Sequence, residues 1–293
     1  MSKNTTNSTL PKYDSNPFTL AFNSFGRLFN TNAGWAIALL VLGIFGFIWQ
    51  MFGNLLQLAA TPESSSSTTR SVEMADKLPA ASSAAASSDV NVSAVVLIVI
   101  GIVILVSIMV LVFSAIGTFI NGMFTYVSIK SEEGQKVSFN EAWQETSKRF
   151  IRLYLAQLLA GLKIFGWTLL FIIPGIIAAF RYTLLPYVVM GDSRDSKGAR
   201  TAHASTKIIV KGRLMEVFGI ATVAGLIPLV GDLLRLTGNA ALYKQMKTYS
   251  DAGAEKPKVH WLNYLGFMLL GFVLLLVLFI LAIVALAAVA NQA

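Results

Sequence analysis

The sequence of 293 residues has no cysteine, two histidines (His203 and His260), and charged side chains at 13% of its positions. Each scarcity excludes something. Without cysteine there is neither a disulfide nor a thiolate metal site. Metal-dependent hydrolysis needs clustered histidines and carboxylates, and two isolated histidines do not supply them. No Walker loop, HExxH or GxSxG occurs, so the usual phosphate-binding, metalloprotease and serine-hydrolase signatures are missing. A soluble domain carries about 25% charged residues. That shortfall, together with several long apolar runs, places the chain among polytopic membrane proteins. Acidic residues are also scarce, 15 against 23 Lys and Arg, for a net charge of +8. The basic residues cluster in particular loops, so the excess reads as membrane topology rather than as a nucleic-acid surface. No secretory leader is expected, because the first fifteen residues are polar and the first apolar run is long enough to remain as a spanning helix.

What is present is mostly helix. Residues 1–15 read as a disordered cytoplasmic tail, and residues 16–293 as a single membrane domain. Asn16 is placed to cap a helix that Pro17 begins. Phe18, Phe22, Phe25 and Phe29 then recur at helical spacing with Asn23 and Arg27 opposite, the pattern of a helix lying in the membrane interface. Spanning helices are expected at about Trp35–Leu58 and Ala94–Ile129. Between them, residues 61–93 are rich in Ser, Thr and Ala without an apolar period and read as a flexible outer loop. Ser138 and Glu141 form a capping box that opens a basic amphipathic segment. Its Phe139, Trp143, Phe150, Leu153 and Tyr154 lie opposite Lys148, Arg149 and Arg152, again an interfacial pattern. Residues 155–190 are too long for one crossing, and a break is expected at Pro174-Gly175. Residues 214–249, interrupted at Pro228 and Gly231, read as a second hairpin. Trp261–Ala290 is the last span.

Charge tests this layout. Residues 61–93 hold Arg70 and Lys77 against Glu63, Glu73, Asp76 and Asp89, whereas residues 130–153, 192–213 and 244–260 hold five, six and four Lys or Arg. The positive-inside rule puts the last three segments in the cytoplasm and the Ser-rich loop outside. Two cytoplasmic segments require an even number of crossings between them, which favours a hairpin at Pro174-Gly175 and another at 214–249. The expectation is an all-α bundle of six to seven spanning helices with short interfacial amphipathic helices, multi-pass in the bacterial plasma membrane, with its N-terminus cytoplasmic.

Ionisable groups at membrane depth are costly and mark sites by default. The candidates are Lys163, Arg181, Asp232 and Arg235, with Glu216 near an interface. Asp232 and Arg235 are spaced to pair on one helix face, and Arg181 and Lys163 are placed to snorkel. Gly175 with Ala179, and Ala221 with Gly225, would allow close helix approach. His203 reads as a solvated or interfacial side chain.

Two linked stretches, FIIPGIIAAFRYTLLPYVVMGD and ARTAHASTKIIVKGRLMEVFG, resemble the bacterial glycerophosphodiester phosphodiesterase membrane-domain family and its YciC-like relatives. Ile173, Pro174, Gly175 and Ile176 fit that family's turn, Asp192 its acidic position, Ala202, Lys211 and Gly212 its later pattern, and Leu242-Tyr243 a late helix end. Thr206 stands where a serine is usual, with Ser205 one position out of register. The resemblance covers roughly residues 135–250 and implies a helical membrane bundle with structural rather than catalytic motifs. Pro174-Gly175 would turn the chain at the outer face, and Gly212 would end a helix. Lys207, Lys211 and Arg213 would lie beside the anionic inner leaflet. The function expected is a non-enzymatic scaffold, or a protein that interacts with lipid or a membrane-protein partner, with no cofactor. The alternative is a small-solute transporter or channel using Arg181, Asp232 and Arg235.

Overall fold

A computed structural model describes residues 10–60, 92–191, 198–255 and 257–290. Residues 1–9, Asp192 and most of the Ser-rich stretch lie outside the described residues. The helices are α1 (Pro17–Thr31), α2 (Ala33–Ala60), α3 (Val92–Glu132), α4 (Phe139–Leu170), α5 (Ile172–Tyr182), α6 (Leu185–Gly191), α7 (Ala199–Val210), α8 (Leu214–Gly225), α9 (Gly231–Asp251) and α10 (Leu265–Ala290), with a 3-10 turn at Trp261–Tyr264. No strand occurs among the described residues. The all-α architecture read from the sequence is therefore the one observed.

Five described segments are long and apolar enough to cross a membrane: Ala33–Leu55, Val96–Glu132, Phe139–Leu170, Ile172–Gly191 and Trp261–Val284. They make the chain a membrane protein. Six to seven were expected, and the difference lies in the second hairpin. There α8 is apolar but has only 12 residues, about 18 Å of helix against a hydrocarbon core of about 30 Å. The 21-residue α9 carries too many polar side chains to count as a span and buries twelve residues inside the protein.

The chain divides into two compact units, Gly46–Ser114 and the remainder. In Gly46–Ser114, every residue whose burial is described is exposed, and nearly all are apolar. This is the composition of a surface made for acyl chains.

The larger unit has a true interior. Its α1 starts as the sequence indicates, with the Asn16 side chain accepting from the Phe18 N–H and Pro17 in the first position. The buried face of α1, however, is Leu20, Ala21, Ser24 and Leu28, while Phe22 and Phe29 point outward. Small residues win that face because α9 crosses there. A Cβ on Gly238 would lie 3.3 Å from the Ala21 Cα, an approach a larger side chain would block.

The segment before α1 is not a loose tail over residues 10–15. Tyr13 is buried and its hydroxyl donates to Glu216 Oε2 at 2.5 Å. Tyr249 donates to the Pro11 carbonyl at 3.0 Å, the Asp14 N–H to Gln245 Oε1 at 2.9 Å, and Asn263 Nδ2 to the Ser15 carbonyl at 2.7 Å. Polar residues that looked solvated in sequence have long-range partners here.

The Ser138 hydroxyl accepts from the Glu141 N–H at 3.2 Å, one half of the capping box, while Glu141 Oε1 accepts from the Tyr126 hydroxyl at 2.9 Å. The helix it opens runs unbroken to Leu170, so the basic amphipathic stretch is the first half of a long helix and not a separate interfacial one. The chain then reverses. Trp167 lies beside Pro174, and Lys163 beside Arg181 and Tyr182, around one cavity. Further down, Arg149 Nη1 donates to the Met190 carbonyl. That pairing is an antiparallel hairpin. Its break falls at Phe171, which is extended (φ −153°, ψ 127°), and not at Pro174-Gly175. Proline lacks only a donor that a first helical turn leaves unpaired, so Pro174 fits as the third residue of α5. Gly175 serves the contact between arms, since a Cβ there would stand 2.8 Å from the Thr168 Cα.

Candidate functional site

Two cavities in the larger unit gather the polar residues that the apolar helices carry. The first, about 370 Å³, lies along the α4–α5 hairpin where α7 joins it, and Lys163, Arg181 and Lys207 line it with Trp167, Pro174 and Ile177. Three cations share this space, and no carboxylate is among its lining residues. The Lys163 ammonium sits 5.7 Å from the Tyr182 ring centroid, a distance at which the ring face attracts the cation. The positions follow from sequence. Lys163 and Arg181 are on facing arms of the hairpin, and α7 brings Lys207 alongside because its buried face, Ala202, His203, Thr206 and Ile209, docks toward the bundle.

His203 fixes that docking. It is 3% exposed, its Nε2 meets the Ala156 carbonyl at 2.9 Å, and the Tyr182 ring lies edge-on at 4.7 Å. This corrects the solvated reading. Burial, reinforced by the charges of Lys163 and Lys207, pushes its pKa below the ordinary value against the opposing pull of the Ala156 carbonyl. Thr206 is fully buried and donates to its own helix at Ala202 O, 2.7 Å. Lys211 is exposed, and Gly212 takes the left-handed conformation that ends α7 (φ +72°).

The second cavity, about 480 Å³, is lined by Asn121, Gln157, Thr183, Asp232, Arg235 and Asn239 among others. Asp232 and Arg235 form the expected pair, 2.9 Å apart, with both side chains largely exposed. Arg181 does not line this cavity, so the three residues proposed for one pathway are divided between two sites. A more voluminous groove of about 840 Å³ is mainly apolar, with Trp35, Phe124 and Phe139 on its wall and Asn30, Thr31, Asn32 and Lys136 also lining it.

Arg213 was expected at the leaflet surface. It is instead 6% exposed, bridged to Glu216 at 2.9 Å, and stacked over Tyr13 at 5.4 Å. Burial and the Glu216 carboxylate raise the pKa of the Tyr13 phenol well above its usual value. The group is a structural latch, holding the N-terminal segment against α8.

Sequence reasoning named the ionisable residues but missed Tyr13 and the amides Asn121, Gln157 and Asn239. A search for any hydrogen-bonding side chain inside an apolar run, not only for charges, would have found the amides in α3 and α4. Among the described residues no group of three His, Asp or Glu could hold a metal ion. No family model, no curated protein and no solved structure matches the chain.

Proposed function

We propose that the chain is a non-enzymatic integral membrane protein that binds anionic lipid headgroups, in a scaffolding role in the bacterial plasma membrane with its N-terminus cytoplasmic. The observation that carries this reading is the convergence of Lys163, Arg181 and Lys207 on one cavity without a carboxylate. Like charges brought together repel unless an anion sits between them. A phosphate answers the cations, and the Trp167, Pro174 and Ile177 walls suit the glycerol and upper acyl region of the same molecule. The setting agrees, since Leu169 to Ile173 at the nearby hairpin tip are 66–77% exposed and wholly apolar, a surface for hydrocarbon rather than water. The resemblance of Ile173–Ile176 and of Ala202, Lys211 and Gly212 to the membrane-domain family is part of this proposal. Solute transport along a path shared by Arg181, Asp232 and Arg235 is the weaker reading, because these residues line separate cavities.

The test is retention of phosphatidylglycerol over phosphatidylcholine by the purified protein in mixed nanodiscs, read by native mass spectrometry. Each cation near a lipid surface contributes about 1 kcal/mol, roughly fivefold in affinity. Lys163→Gln, Arg181→Gln and Lys207→Gln should therefore each lower the retained anionic lipid about fivefold, while Lys211→Gln, outside the cavity, should not. Equal retention by native protein and the triple variant would overturn the reading.

A further inference from the structure

The 480 Å³ cavity is a site of different chemistry. Its polar groups have mostly found partners within the protein. Asp232 and Arg235 are committed to each other, the Tyr187 hydroxyl donates to the Leu236 carbonyl at 2.8 Å, and Gln157 Oε1 accepts from Thr118 at 2.9 Å. One group has none. Asn239 is 2% exposed, lines the cavity, and its side-chain oxygen Oδ1 has no hydrogen-bond partner. A buried acceptor left unpaired costs about 1–3 kcal/mol, and α9 places the Asn239 side chain at the cavity wall with Phe124, Tyr182 and Tyr187.

The charge of the lining narrows the ligand. Asp232 and Arg235 are its ionisable pair and cancel, so nothing there favours a net anion or a net cation. The volume falls within the range of small-molecule sites, about 300–1,000 Å³. We propose that this cavity binds a small uncharged solute of the amide or polyol class, which donates an N–H or O–H to Asn239 Oδ1 and rests against the aromatic wall. The site is independent of the anionic-lipid reading. Both cavities border α4 and α5, but they draw on different side chains, the cations included, and Tyr182 alone lines both.

The absence of cysteine makes a direct test available. Asn121→Cys puts one thiol on the cavity lining of full-length protein in liposomes, and its rate of reaction with a water-soluble methanethiosulfonate is measured with and without acetamide or glycerol. At a probe concentration about ten times its Kd, roughly nine sites in ten are filled, so labelling slows about tenfold. Acetate and ethylammonium, matched in size but charged, leave the rate unchanged. In the same background Asn239→Leu abolishes protection, whereas Asn239→Asp, which keeps an acceptor, retains it. The unprotected rate in each variant reports that the cavity is intact. Labelling that neither acetamide nor glycerol slows would mean that the cavity holds water only, and would overturn the proposal. So would protection that survives Asn239→Leu, or protection by acetate equal to that by acetamide.

Discussion

Two successive α-helices, α9 and α10, have opposite fates. In α9, Asp232 and Arg235 stay exposed and Lys244 and Gln245 half-buried, while twelve of its 21 residues, mostly Gly, Ala, Leu, Tyr and Met with Thr237 and Asn239, are buried. The 26 residues of α10 are almost all Leu, Val, Ile, Phe, Ala and Gly, and every one from Phe267 to Val284 is exposed. In water the exposure of α10 would be upside down. In a bilayer it is the low-energy arrangement, because lipid tails are as apolar as leucine and give no reason to hide it. The interior is instead the place where polar groups meet partners and small residues allow helices to close. Gly238 against Ala21, and Arg213 with Glu216 against Tyr13, show both devices.

The contrast can be broken experimentally, and the largest effect should come from the buried ion pair. Glu216→Ala leaves Arg213 buried and unpaired, a change that costs about 3–5 kcal/mol. Unfolding in mild detergent should register it, while Leu275→Ala in α10 should leave the transition where it was. Next comes a charge in the lipid-facing helix. Leu275→Lys should cost about 2.5–3.5 kcal/mol of insertion free energy, seen as chain lost from the carbonate-resistant membrane fraction. A smaller penalty attaches to the helix crossing. Gly238→Leu overpacks the contact with Ala21 and Ile220 and should cost about 1–3 kcal/mol, whereas Gly271→Leu, with open space around its α-carbon, should be silent by the same unfolding measurement.

The smallest effect is a pH dependence. His203 has a folded pKa below its unfolded value, so the unfolded chain takes up the proton first as pH falls. Stability is therefore complete above the ordinary histidine range, near pH 6.5, and declines as pH drops through it, by at most about 1.4 kcal/mol per pH unit. A midpoint that falls between pH 7.5 and 5.5 in native protein, and falls less in His203→Gln, is the expected result.

Local signals were readable in the sequence. The Asn16 and Ser138 caps and the left-handed Gly212 depend on a few adjacent residues, and the structure has all three. The α4–α5 hairpin was readable from charge, since basic segments on either side demand a return. Its break was not, because proline marks both a helix interruption and a helix first turn, and Pro174 is in the second setting. The phenylalanine stripe of α1 was read as an interfacial pattern, and the small residues that pack α1 against α9 were not singled out. Ala21 and Ser24 are buried while Phe22 and Phe29 are exposed, and which partner helix selects the small face is not written in the local pattern. The Tyr13–Glu216 bond joins residues 203 positions apart, and no local pattern announces it.

The most direct test is carbene footprinting with a diazirine that partitions into the hydrocarbon of proteoliposomes, mapped by peptide mass spectrometry. Adducts should accumulate along Phe267–Val284 of α10 and be scarce along Leu233–Tyr249 of α9. Comparable labelling of the two helices, or labelling concentrated on α9, would contradict the claim that this chain turns its most apolar helix to lipid and packs the small-residue face of α9 inside.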